Sequence, residues 1–116
     1  MPKTVIEQIP FSCTLTPAGT PTSGAVLTEA APFSGYIVDA TIHWPAGCNA
    51  LVDVRVGHGV KQFCPNEGFL ALDNCTPKYD FNEWIDANEE VWVEMRNASA
   101  FPHSITVTVT LEGAAK

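Results

Sequence analysis

The last third of the chain alternates between apolar and polar side chains in three consecutive stretches, residues 79–86, 91–97 and 103–111. In the third stretch, from residue 105 onward, the odd positions are aliphatic and the even positions are threonines. The aliphatic residues are Ile105, Val107, Val109 and Leu111, and the threonines are Thr106, Thr108 and Thr110. A period of two over this length predicts β-strands with one buried and one solvated face.

The same alternation recurs upstream, where proline, glycine and asparagine residues at turn positions separate the stretches. The predicted strands there are 4–9, 11–16, 25–28, 35–44, 50–56, 60–64 and 69–72. In the fourth predicted strand, 35–44, strict alternation predicts one face that carries Tyr36, Val38, Ala40, Ile42 and Trp44. In the fifth, three valines are predicted to point inward: Val52, Val54 and Val56. No stretch repeats apolar residues at helical spacing, so no helix is predicted.

Only three residues separate 79–86 from 90–97, and this spacing predicts a β-hairpin. Antiparallel register would place Trp84 opposite Trp92 on its polar face. The other face is predicted to join the core through Phe81, Ile85, Val91 and Met95. Tryptophans among polar neighbours need a cover. A loop or the N-terminal segment, a subunit interface and a sugar-stacking platform are the alternatives.

About eight short strands with turns between them predict an all-β protein, an antiparallel β-sandwich. An eight-stranded jelly roll fits this strand count best, and an immunoglobulin-like sandwich is the alternative. A chain of 116 residues predicts a single domain over 1–116. Residues 1–10 are either an N-terminal arm or the first strand of the same sheet.

An N-terminal arm would add a strand to the sheet edge of a neighbour. The polar-face tryptophans are the second candidate contact. The predicted interface residues are therefore Val5, Ile6, Ile9, Phe11, Trp84 and Trp92.

The chain carries 13 acidic and 6 basic residues, a formal charge of −7. This balance argues against nucleic acid and anionic membranes as partners, because both repel an acidic protein. It favours solubility or a cationic patch on a partner. The N-terminus has no signal peptide, and no stretch approaches the 18 apolar residues of a membrane span, so we expect a protein made and kept in a cytosol.

The remaining chemistry is sparse. Four cysteines allow two disulfides in three pairings, but a cytosolic chain is expected to keep them as free thiols: Cys13, Cys48, Cys64 and Cys75. The three histidines are spread along the chain, with His58 between glycines in a predicted loop and His103 at the core rim. No metal site and no cofactor are predicted from this spacing.

Catalysis is not predicted either. No Gly-x-Ser-x-Gly nucleophile elbow occurs in the chain. Acidic residues cluster in and beside the predicted hairpin at Glu83, Asp86, Glu89, Glu90 and Glu94. Such a cluster is typical of a solvated sheet edge that discourages unwanted strand pairing. The sequence therefore predicts no catalytic residues and no enzyme.

Three segments carry a resemblance to a known class of protein. They are the run from Gly35 to Cys48, GYIVDATIHWPAGC, then VEMRN at 93–97 and HSITV at 103–107. In these the chain resembles the small β-sandwich decoration, or cement, proteins of tailed phage and related viruses. The resemblance implies a jelly-roll-like module, often trimeric, on the symmetry axes of a capsid.

The predicted function is that of a non-enzymatic structural subunit, most simply a capsid decoration protein on a virion surface. Its expected partners are further copies of itself, with a trimer favoured, and a larger assembly such as a capsid. The protein would then be made in the host cytoplasm and end in the virion. The alternative is a carbohydrate- or cell-surface-binding module, because sandwiches of this size often stack sugars on exposed aromatic rings.

Overall fold

The computed structural model describes residues 4–114, and within that range the chain forms strands and no helix. The strands are β1 (Thr4–Leu15), β2 (Gly24–Ala30), β3 (Gly35–His43), β4 (Val52–His58), β5 (Lys61–Cys64), β6 (Lys78–Ile85), β7 (Glu90–Asn97) and β8 (His103–Ala114).

The strands form two four-stranded antiparallel sheets. Sheet A has the order β1-β8-β3-β6 and sheet B the order β2-β7-β4-β5. The first strand thus pairs with the last, the second with the seventh, the third with the sixth and the fourth with the fifth. This is the winding of a doubled chain into a jelly roll. The predicted all-β sandwich and its jelly-roll order are confirmed, and the immunoglobulin-like alternative is wrong.

β8 is an inner strand of sheet A, paired with β1 on one side and β3 on the other. Its four aliphatic side chains are fully buried, as the alternation predicted. The predicted inward valines of β4 are also fully buried, on the facing sheet. The core therefore fills the space between the two sheets, where apolar side chains leave water.

β1 is a single strand where two were predicted. It pairs with β8 along its whole length, from Thr4 opposite Ala114 to Leu15 opposite His103. In this chain residues 4–10 therefore follow the alternative of an ordinary first strand, and residues 1–3 lie outside the described range.

Because β1 pairs with β8, the predicted N-terminal contact residues lie on both faces of β1. Ile9 and Phe11 are buried in the core, Val5 is half-buried, and Ile6 is exposed on the outer face. Ile9 and Phe11 cannot meet a neighbour unless the strand leaves its sheet. Ile6 is the member of this set that reaches solvent.

A β-bulge corrects the predicted faces of β3. The pairing of this strand with both of its neighbours shifts between Ile37 and Asp39. An extra residue reverses which side chains point inward. Ile37 therefore joins Ala40 in the core, whereas Tyr36 faces solvent.

The predicted hairpin is wrong, because β6 and β7 lie in different sheets. Trp84 faces Tyr36 of β3, and Trp92 faces Gly57 of β4. Both strands still direct their predicted apolar side chains into the core, from opposite sides. The short connection is therefore a crossover between sheets.

Backbone contacts fix this crossover. The amide of Asn88 donates to the carbonyl of Ala31 at 2.9 Å, and that of Ala87 to the hydroxyl of Ser34 at 2.8 Å. Both acceptors belong to the β2–β3 connection, which also passes from one sheet to the other. The two crossovers lie together at one end of the sandwich.

Two isoleucines in adjoining strands test this description of the core. Ile105→Ala removes a fully buried side chain and is expected to lower the free energy of unfolding by about 2–5 kcal/mol. Ile6→Ala removes the same atoms from an exposed position, where a change within about 0.5 kcal/mol is expected. Urea denaturation measures both, and equal losses would contradict the assigned faces.

Candidate functional site

Three large side chains lie in one row on the outer face of sheet A. Ile6 and Tyr36 each pair with Glu112 of β8, and Tyr36 pairs with Trp84. The exposed fractions are 62% for Ile6, 42% for Tyr36 and 49% for Trp84. These three residues, here called the apolar row, lie on β1, β3 and β6, and Glu112 occupies the β8 position between Ile6 and Tyr36. Neighbouring strands are about 4.8 Å apart, so the row is about 14 Å long.

The aromatic end of the row is held in a defined geometry. The rings of Tyr36 and Trp84 meet edge to face, with centroids 5.1 Å apart and planes at 78°. The indole Nε1 of Trp84 also donates to Oδ1 of Asp86 at 3.0 Å. Edge-to-face contact is a favoured arrangement of aromatic pairs. The two rings therefore present an ordered surface to solvent.

The outer face of sheet A is acidic around the row. Glu112 lies between Ile6 and Tyr36, and Asp39 and Asp80 pair with each other further along the same face of β3 and β6. Lys78 approaches both aspartates, with Nζ 3.9 Å from Asp39 Oδ2 and 3.5 Å from Asp80 Oδ1. Three carboxylates thus face one ammonium group.

The outer face of sheet B is organised by Arg55. Its guanidinium forms an ion pair with Glu94, with Nε 2.6 Å from Oε1, and Nη1 donates to Oε1 of Gln62 at 2.9 Å. Arg55 and Arg96 share the ring of Phe69, at 4.7 Å and 4.0 Å from its centroid. Cations over an aromatic face are attracted by its quadrupole.

Val26 extends this surface, because it pairs with Glu94 and is well exposed. The outer surface formed by Val26, Phe69 and Arg96 is here called the cationic face. Arg96 is exposed, and within residues 4–114 it forms no ion pair. The cationic face therefore offers apolar surface beside a positive charge.

Trp92 is half-buried and is covered by its own sheet. A Cβ placed on Gly57 would come within 2.1 Å of Cζ2 of the indole, so the ring lies directly over that glycine. Its Nε1 donates to the carbonyl of Gly59 at 3.0 Å, and Arg55 lies 5.6 Å from the ring. Of the two predicted contact tryptophans, only Trp84 presents a large free surface.

A third cluster of side chains joins the two sheets at the end of the sandwich where the β6–β7 crossover lies. His58 is the buried last residue of β4, where a loop was predicted. Its Nε2 lies 2.7 Å from Oε2 of Glu83 on β6, and its Nδ1 lies 2.5 Å from Oε2 of Glu89 in the crossover. Nζ of Lys61 also lies 2.7 Å from Oε2 of Glu83. His58, Glu83 and Glu89 are here called the histidine clasp.

Ionised carboxylates only accept hydrogen bonds, so both ring nitrogens of His58 act as donors and the ring is an imidazolium. Burial alone lowers the pKa of His58, but hydrogen bonds and charges from Glu83 and Glu89 outweigh it and raise that pKa above its ordinary value. Burial opposes ionisation of both glutamates, yet hydrogen bonds from His58 lower the pKa of each, together with Lys61 for Glu83 and the amide of Asp86 for Glu89. Both ring nitrogens are therefore engaged in hydrogen bonds within the clasp.

The other histidines have neutral partners. His43 Nδ1 lies 2.8 Å from Oγ1 of Thr76, and the buried His103 lies 2.9 Å from Oγ of Ser99. Between residues 4 and 114, no three His, Cys, Asp or Glu side chains are grouped in a way that would hold a metal ion.

A groove separates β5 from β6, where the edges of the two sheets face each other. Its volume is about 560 Å³, and Phe63, Tyr79 and Phe81 contribute its aromatic lining. Cys64 also lines it, and burial raises the pKa of this thiol to about 11. All four cysteines are free thiols, with Cys48 and Cys64 buried and the other two half-buried. Nothing in the groove identifies an occupant.

Comparison with known proteins supports the fold and indicates no function. No protein-family model and no curated protein matches the chain. The crystal structure of FlhE is similar over 93% of this chain and 96% of FlhE, with 16% identity and a TM-score of 0.52. The crystal structure of PirA is more distant, with 13% identity and a TM-score of 0.40 over 86% of this chain and 92% of PirA. The likeness to FlhE supports the sandwich fold alone, and neither structure indicates a decoration protein.

The part of the chain that the structure describes has no helix long and apolar enough to cross a membrane.

The histidine clasp predicts how stability depends on pH. Folding raises the pKa of His58 above 6.5, so its contribution is fully present below pH 6.5 and is lost as the pH rises through the raised pKa. Folding lowers the pKa of Glu83 and Glu89 below 4.5, so their contribution is present above pH 4.5 and is lost as the pH falls through the lowered values. Urea denaturation across this range measures both losses.

His58→Gln is expected to remove the loss on the alkaline side. The matched control is His43→Gln, because His43 is exposed and its ring partner is a threonine. An alkaline loss of the same size in His58→Gln as in the unmodified protein would contradict the prediction.

Proposed function

We propose that this protein is a structural subunit without catalytic activity, and that it assembles by docking the outer face of sheet A onto the cationic face of a second copy. The apolar row is the observation that carries this proposal. Tryptophan and tyrosine are enriched among the residues that dominate binding energy at protein interfaces. Tyr36 and Trp84 form one exposed aromatic pair, and Ile6 lies beyond Glu112 in the same row.

The two outer faces are complementary in charge. Sheet A brings Glu112, Asp39 and Asp80 to its surface, whereas the cationic face brings Arg96, which has Asp53 as its cross-strand neighbour but forms no ion pair in the described chain. Contact between them would place Arg96 beside carboxylates and the apolar row against Val26 and Phe69. Complementary potentials favour association and fix its register. Two copies of the acidic face would repel each other.

Contact between two different faces is heterologous. Such contacts form closed rings when the rotation between copies closes, and open stacks when it does not. The trimer predicted from the sequence is one closed form. The resemblance to decoration proteins makes a capsid shell on a virion the larger assembly within this proposal.

A carbohydrate-binding module is the second candidate function. It is favoured by the ordered Tyr36–Trp84 pair and by exposed polar side chains around it, among them Asn82 and Glu112. Such a surface offers a ring face for stacking and groups that hydrogen-bond hydroxyls. This candidate requires no contact between copies.

Solution mass over a wide concentration range tests the proposal. We expect the unmodified protein to form oligomers. Trp84→Ala is expected to weaken association about 30-fold, because loss of an interface anchor costs about 2 kcal/mol or more. Phe101→Ala is the matched control, since Phe101 is 69% exposed in the β7–β8 connection, near the opposite end of β8 from Glu112. A protein that stays monomeric at every concentration would overturn the proposal.

A charge exchange tests which faces meet. Arg96→Glu and Glu112→Arg are each expected to weaken association, because each places like charges together across the contact. The double variant is expected to restore it. Failure of the double variant to recover, while each single variant loses association, would place the contact elsewhere.

A glycan array separates the second candidate from the first. A carbohydrate-binding module would be monomeric and retained on the array, and Trp84→Ala would abolish retention while Phe101→Ala would not. Retention that is unchanged in Trp84→Ala would remove the Tyr36–Trp84 pair as the sugar platform.

A further inference from the structure

We infer that the histidine clasp controls the geometry of the apolar row, so that docking depends on the protonation of His58. This regulation rests on the proposed function for its consequence, but the coupling itself is a property of one chain. The clasp and the row lie at the same end of the sandwich and share strand β6, which carries both Glu83 and Trp84.

A continuous set of hydrogen bonds leads from the clasp to the row. His58 Nδ1 lies 2.5 Å from Oε2 of Glu89, and the other oxygen of that carboxylate accepts from the amide of Asp86 at 3.1 Å. Oδ1 of Asp86 in turn accepts from Nε1 of Trp84 at 3.0 Å. One carboxylate oxygen of Glu89 therefore contacts the imidazolium of His58, and the other accepts from Asp86, the residue that orients the indole of Trp84.

Loss of the His58 proton breaks this arrangement in a defined place. A neutral imidazole has one donor nitrogen, so one of the two carboxylates must face a lone pair. Glu83 also has the ammonium of Lys61 at 2.7 Å, a partner that does not depend on the His58 proton. Glu89 has no other cationic partner among residues 4–114. Glu89 is therefore the carboxylate that turns away.

The charged groups around His58 come from three elements. Glu83 faces it from β6, Glu89 from the crossover, and Lys61 of β5 reaches it only through Glu83. The ring of Phe63 is a further neighbour, with its centroid 5.8 Å from that of the imidazole, and Lys61 and Val91 are the cross-strand partners of His58. No further charged side chain in the described chain pairs with the clasp, so the two carboxylates determine its response to pH.

Movement of Glu89 releases the amide of Asp86, and with it the acceptor that fixes the indole of Trp84. The apolar row then loses the geometry of its largest member. Couplings between two sites through such an element typically change affinity about 5- to 150-fold. We expect association between copies to weaken by a factor in this range as the pH rises through the pKa of His58.

The indole N–H resonances of the three tryptophans test the coupling directly in dilute, monomeric protein. Over pH from about 5 to about 9, the Trp84 resonance is expected to shift with the midpoint of the His58 ring protons. Trp44 is the internal reference, because its indole is fully buried and donates to the carbonyl of Val52. A Trp84 resonance that stays constant while His58 titrates would overturn the inference.

Two variants and one control test which side chains couple Trp84 to His58. Glu89→Gln keeps the side-chain shape but weakens the contact with the imidazolium, and it is expected to uncouple Trp84 from His58 while the fold is retained. His58→Gln is expected to abolish the shift, and His43→Gln to leave it unchanged. A shift that persists at full size in both Glu89→Gln and His58→Gln would contradict the coupling.

The two proposals fail separately. If Trp84 follows His58 but the protein never associates, the coupling stands and the proposed function fails. If the protein associates equally at both ends of the pH range and Trp84 stays constant, the proposed function stands and the coupling fails.

Discussion

The register of β8 is the constraint on which the rest of the structure depends. This strand lies between β1 and β3 and buries four aliphatic side chains while its threonines face outward. A slip of one residue would exchange the two sets and place hydroxyls in the core. The same register sets Glu112 between Ile6 and Tyr36 on the surface. One pattern in the sequence therefore fixes both the packing of sheet A and the composition of its outer face.

Strand positions could be read from the sequence because alternation is a local property. The valines of β4 and the aliphatic residues of β8 were assigned correctly for this reason. The bulge in β3 could not be read in this way, since Val38 is an ordinary strand residue and its extra position appears only in the pairing with β8, where Ile37 and Asp39 lie opposite the consecutive residues Leu111 and Thr110. The exposure of Tyr36 depends on that bulge.

The path of the connection between β6 and β7 also could not be predicted from the local sequence. A hairpin and a crossover can have equal length and flank equally amphipathic strands. The choice is made by distant partners, here the carbonyl of Ala31 and the hydroxyl of Ser34, which hold the connection across the end of the sandwich. No residue within the connection carries that information.

The candidate site was only partly visible for related reasons. Trp84 was identified as a contact residue because a large aromatic residue stood at a polar position. The clasp was missed because Glu83 and Glu89 lie 25 and 31 positions from His58. The glycines on either side of His58 were the available signal, since a glycine within or beside a strand often marks the close approach of another group.

Gly57 of β4 lies opposite Trp92 of β7, and the indole packs over the glycine. The indole and the carbonyl oxygen of Lys61 together occupy the space that a side chain at position 57 would need. A change at either position alone must create a clash or a void. Neighbouring residues in contact have non-additive effects on stability. A smaller residue at position 92 would therefore leave a void that no side chain at position 57 could fill, because the carbonyl oxygen of Lys61 lies 2.5 Å from the same Cβ position.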